Sequence, residues 1–112
     1  MSNIYDIANQ LERAVRELPE YKAVVESKKA VDADSTAKQI LDDYLVFQSE
    51  LQAMAQAGQM PTPDVQEKLQ AFGEKIQANP ALETFFGNQQ QLSVYLADIE
   101  RIIFGPIQEV MK

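Results

Sequence analysis

Two carboxylate pairs, Asp42-Asp43 and Asp98 with Glu100, come closest in type and spacing to a reactive site. Two acids on one helix can hold a metal or share a proton when they project together, which needs a separation of three or four residues. Asp42 and Asp43 are adjacent, and Asp98 and Glu100 are two apart, so both pairs diverge around a helix and read as solvent-facing. A di-metal carboxylate bundle also draws on Glu-x-x-His motifs from paired helices. The chain has no histidine and no cysteine. That removes the usual zinc, haem and iron–sulfur ligands and the Ser–His and Cys–His nucleophile systems. Four glycines in the whole sequence, none in a phosphate-cradling pattern, leave little material for a nucleotide loop. An isolated glutamate as general acid or base has nothing to mark it. The sequence assigns no catalytic residue, no metal ligand and no cofactor, and the expectation is a protein that is not an enzyme.

Charge narrows the partners. The 112 residues carry a net charge of −7, spread along the chain without an acidic tail or a basic patch. Such a surface repels phosphate backbones and anionic lipid, so neither direct nucleic-acid binding nor membrane binding is expected. Lys28-Lys29 reads as a solvated helix face rather than a phosphate clamp. The start, MSNIYDIANQ, has no basic segment followed by an apolar run, and no window approaches a membrane span. A soluble, cytoplasmic protein is expected.

Helices must carry whatever the chain does. Every long segment has helical period, and Pro, Gly and cap residues separate them. The first helix is predicted over about Ile4–Leu18, with the stripe Ile4, Ile7, Ala8, Leu11, Ala14, Val15, Leu18 and Asn3 as its cap. Pro19 restarts the chain as a shorter helix to about Val31. Asp32-Ala33-Asp34-Ser35 reads as a turn that caps a long helix over about Thr36–Ala57, and Gly58 suits the left-handed position after it. Thr62-Pro63 and Asn79-Pro80 each pair an N-cap with proline at the first helical position. They open a fourth helix to about Ala78 and a fifth to about Phe104. Gly73, inside the fourth helix, is expected to permit close helix packing. Gly105-Pro106 stops the fifth, and residues 107–112 add a last turn. The fold class is therefore all-α: an antiparallel bundle of four to five helices in one domain, residues 1–112, with two long helices at about 36–57 and 80–104.

The fifth helix holds the most pointed residues. The stretch NPALETFFGNQQQL looks like a helix interrupted by polar amides. With Leu82 at heptad position a, however, Gln89, Leu96, Ile103 and Val110 are also a, and Phe85, Leu92 and Ile99 fall at d. The seam keeps its phase through Asn88–Gln91, which predicts one helix of roughly 25 residues, ~38 Å long. Phe86 falls at e, and Tyr95 and Ile102 at g. An apolar surface this wide needs cover on two sides. Core packing is one source of cover and another subunit is the other. The reading is a homo-oligomer, with a dimer favoured, and an interface assigned to Phe85, Phe86, Gln89, Tyr95 and Ile102. Gln89 has two alternatives: a polar a-position residue that fixes register within an interface, or a wet residue at the end of the bundle.

The segments IYDIANQLERAVRELPEY (residues 4–21) and NPALETFFGNQQQLSVYLADIERII (residues 79–103) resemble the YheA branch of the YheA/YmcA/YlbF-like proteins of Gram-positive bacteria. The resemblance covers most of the chain, in order, and rests on apolar spacing and caps. It implies an all-α, oligomer-forming protein. The better-known members regulate competence, biofilm formation and sporulation, form a complex with a further protein, and influence an mRNA-cleaving ribonuclease. Their cysteines are associated with iron–sulfur clusters; this chain has none, so cluster binding does not carry over. The function expected is helix-face recognition by a regulatory or adaptor protein, with a holdase-like chaperone as the alternative and an enzyme a distant third.

Overall fold

A computed structural model describes residues 3–112, and six α-helices account for nearly all of them. They are α1 (Ile4–Arg16), α2 (Pro19–Ala33), α3 (Ser35–Gln56), α4 (Pro63–Gln77), α5 (Pro80–Ile103) and α6 (Gly105–Met111). The two long helices are α3 and α5, and the protein is all-α.

Local chemistry sets the boundaries. Asn3 accepts from the Asp6 N–H at 2.9 Å and caps α1. Thr62 accepts from the Val65 N–H at 3.3 Å and caps α4, with Pro63 behind it. Asn79 Oδ1 accepts from the N–H groups of Ala81 (3.1 Å) and Leu82 (3.2 Å) and so opens α5. The Asp32–Ser35 turn shrinks to a single residue. Asp34 alone is non-helical, and its carboxylate accepts from Thr36 and Ala37 at 3.0 and 3.2 Å. One cap side chain satisfies two of the orphan N–H groups of α3, so α2 runs on to Ala33.

α3 ends in a full Schellman arrangement. Gly58 has φ +76°, its N–H donates to Ala55 O at 3.1 Å, and the Gln59 N–H donates to Met54 O at 2.9 Å. No atom lies within 4 Å of a Cβ added at Gly58 or at Gly73. Gly73 therefore does not admit a close helix crossing, contrary to the sequence expectation. The two glycines should respond in opposite directions to alanine. Gly58→Ala forces a left-handed L-residue and is expected to cost about 1 kcal/mol. Gly73→Ala removes only a helix-interior entropy penalty and is expected to gain up to about 1 kcal/mol. Urea unfolding of the two variants checks both signs.

The chain divides into two compact units. One is Ser27–Phe85. It contains the end of α2, all of α3 and α4, and the start of α5. The fully buried residues belong to it: Val31, Ala37, Leu41, Phe47, Leu82 and Phe85, with Ser27 as the buried polar member. Ala37, Leu41 and Phe47, with half-buried Tyr44 between them, recur at helical spacing along one face of α3. Phe72 of α4 meets Tyr44 edge-on at 5.5 Å and Phe47 at 5.3 Å, ring centre to ring centre. Lys75 lies alongside residues 36–43 of α3, so α3 and α4 run antiparallel.

The other unit joins the described residues up to Glu26 with Phe86–Lys112. It contains α1, the start of α2, the rest of α5, and α6. Asn88 Nδ2 donates to Ala23 O at 3.3 Å, and Tyr95 Oη donates to Glu20 Oε2 at 3.3 Å. The partner number falls as the α5 number rises, so α2 and α5 run antiparallel here.

Candidate interaction surface

Among its described residues, this terminal unit contains no side chain as buried as the core of the other. Leu11, Val15, Leu18 and Val24 reach only intermediate exposure. Ile4 (76%), Ile7 (55%), Ile103 (57%) and Ile107 (60%) stand in the open. Isolated exposed leucines need no explanation, but a run of open apolar residues such as Ile102, Ile103, Phe104 and Ile107 at the junction of α5 and α6 does.

The residues assigned from sequence fall in different places. Phe85 is buried within Ser27–Phe85, and Phe86 is half-buried in the terminal unit. Gln89 is exposed in this chain, and its carbonyl accepts from Ser93 Oγ at 2.9 Å. Tyr95 is 43% exposed and tied to Glu20, while Ile102 is 72% exposed.

Asn88 is the amide that the sequence reading passed over. It shares heptad position g with Tyr95 and Ile102, so the three lie seven residues apart along one face of α5. Asn88 is half-buried and bonds to α2 at Ala23; Tyr95 bonds to α2 at Glu20. α2 begins at Pro19, one residue before Glu20, and α5 runs on past it. Ile102 is the next g residue and has no α2 residue opposite. The signal was available: in a run of amides, the one in phase with Tyr95 and Ile102 is the one that meets a neighbour. Asn88→Ala is therefore expected to cost about 1 kcal/mol, while Gln89→Leu should leave chain stability within about 0.5 kcal/mol. Chemical denaturation of both variants tests the assignment.

Charged side chains here make local pairs at the surface. Arg16 donates to Glu12 through Nε (3.0 Å) and Nη2 (2.8 Å), and Arg101 Nη2 meets Asp98 Oδ1 at 3.0 Å. The bond to Glu12, and then that carboxylate's charge, raise the Arg16 pKa above its ordinary value. Exposed pairs of this kind add little stability. Among the described residues no three acidic side chains converge to hold a metal ion, and no helix is long and apolar enough to cross a membrane.

Comparison with known proteins agrees with this architecture. A UPF0342 protein of Streptococcus sanguinis (strain SK36) is 69% identical over 112 residues, the whole of both chains. One from Streptococcus pneumoniae serotype 4 is 54% identical over the same span. Among solved structures, a protein of unknown function (DUF964) from Bacillus stearothermophilus superposes with a TM-score of 0.82 at 25% identity, covering 97% of this chain and 96% of that one. The structure of yheA from Bacillus subtilis gives 0.69 at 24% identity, over 97% and 99%, and shares the fold. Residues 4–108 match the family described as control of competence regulator ComK, YlbF/YmcA, and the chain belongs to that family.

Proposed function

We propose that this protein is a non-enzymatic interaction subunit that works as a homo-oligomer, through the apolar end of its terminal unit, and serves a regulatory or adaptor role of the kind its family description names. The observation that carries the reading is the contrast between the two units: one closes a core around Leu82 and Phe47, while the other leaves Ile102, Ile103, Phe104 and Ile107 open. Apolar surface of that kind is stabilised by covering it. Ile102 belongs to that surface, and Gln89 and Tyr95, also exposed on α5, are assigned to the same interface. A two-fold dimer is the simplest closed arrangement for one such face.

A holdase-like chaperone is the competing reading, because Val110 (80%) and Met111 (81%) extend the apolar surface to the end of the chain. Two measurements separate them. A dedicated interaction subunit captures one or two partners in fixed stoichiometry from lysate and leaves the aggregation of unrelated unfolded proteins unchanged. General suppression of that aggregation, with no stoichiometric partner, would contradict the proposal.

A further inference from the structure

A second face, on Ser27–Phe85, has its own pattern. A groove of about 290 Å³ lies between α3 and α4, floored by Phe47 and Phe72. Asp43 and Glu50 stand along its α3 side, and Lys68 and Lys75 along its α4 side. Each pair is seven residues apart, two turns or ~10.5 Å. Phe72 meets both Tyr44 and Phe47. In the antiparallel pair this sets Lys75 level with Asp43, and Lys68 level with Glu50. The acids form one ridge and the lysines the other, with exposed Val46 and Ala71 between the two charged levels. Among the described residues, none of the four makes an ion pair across the groove. Asp43 accepts from Gln39 Nε2 at 2.9 Å, and Lys75 Nζ lies 5.9 Å from the centre of the Phe72 ring.

An acidic ridge beside a basic ridge, at matched heights, is complementary to itself. We propose that the α3–α4 face binds a second copy of this chain about a two-fold axis parallel to the two helices. That rotation keeps every residue at its own height and sets α3 of one copy on α4 of the other. Asp43 then meets Lys75, and Glu50 meets Lys68, twice over. A two-fold axis across the helices reverses the heights. It would set Asp43 against Glu50 and Lys68 against Lys75, like against like. Charge thus selects one arrangement and opposes the other, which is what charged rims do best. Val46, Ala71 and the Phe47–Phe72 floor supply the apolar contact between the charged levels. With the terminal unit also self-associating, two separate faces build an assembly larger than a dimer.

The symmetry gives the test a rescue arm. Asp43→Lys with Glu50→Lys sets lysines against lysines in both halves of the interface. Lys68→Glu with Lys75→Glu sets acids against acids. Each double variant is expected to weaken this contact by roughly 30-fold or more and to lower the assembly mass in sedimentation. All four residues are exposed, and circular dichroism verifies that each variant stays folded. An equimolar mixture of the two variants has opposite charges in both halves, so it should recover the wild-type mass, as should the chain carrying all four changes. Double variants that assemble like wild type, or a mixture that fails to recover, would overturn the proposal. Substitutions confined to the terminal unit have no such rescue, so failure here is distinguishable from failure of the terminal-face reading.

Discussion

Leu82→Ala is expected to destabilise the protein by roughly 3 kcal/mol. Leu82 is fully buried, in the first turn of α5, and its own N–H is held by the Asn79 cap. Removing its branched end takes apolar atoms from the centre of Ser27–Phe85, where Val31, Ala37 and Leu41 are also nearly or wholly inaccessible. A side chain with no exposed surface leaves a space that its surroundings fill only in part, so the loss includes a cavity term as well as a transfer term. Leu96, at the same heptad position two repeats later, is 43% exposed. Its replacement by alanine should cost well under half as much. Urea unfolding followed by circular dichroism gives both values, and equal costs at Leu82 and Leu96 would mean that the core does not lie where the burial places it.

The second large effect concerns association rather than folding. Ile102→Glu combined with Ile107→Glu places two charges on the exposed apolar end of α5 and α6. Both side chains are already open to water in the single chain, at 72% and 60% exposure, so chain stability should change by less than about 0.5 kcal/mol per site. Across a two-fold interface four isoleucines are lost. At ~1.5 kcal/mol or more for each side chain fully covered, association should weaken at least 100-fold even if cover is partial. A fall in assembly mass with unchanged unfolding of the dissociated chain is the expected pair of observations. Unfolding of the variant would instead mean that these isoleucines complete the fold of their own chain.

How much of this was legible in the sequence depended on whether the cause was local. Caps and proline positions act within one turn, and Asn3, Thr62-Pro63, Asn79-Pro80 and Gly58 mark the helix ends where they were expected. Heptad phase is also local, and it carried α5 unbroken through Asn88–Gln91. What it could not carry was the neighbour. Gln89 looked pointed because it stood on the seam, but the helix that meets this part of α5 is α2, and it meets the g side, so Asn88 makes the contact. The Gly73 expectation failed for want of a neighbour: glycine is needed where backbones approach, and none approaches here. The α3–α4 ridges were visible as residues seven apart. Their pairing required knowing that the two helices are antiparallel neighbours with Phe72 between Tyr44 and Phe47.

The division into a unit with a closed core and a unit with an open one was not legible at all. Leu41 and Ile103 look alike on a helical wheel, yet one is 2% exposed and the other 57%. The terminal helices are amphipathic in the ordinary way, and only their packing leaves the apolar side uncovered. That uncovered surface is the physical basis for reading the protein as a self-associating interaction subunit.

Light scattering on the purified 112-residue chain across the micromolar range tests that reading most directly. The expected result is a mass at least twice that of one chain, falling towards the single-chain mass when Ile102 and Ile107 are replaced by glutamate and, in the same chain, Asp43 and Glu50 by lysine. A monodisperse single chain at every micromolar concentration would contradict it.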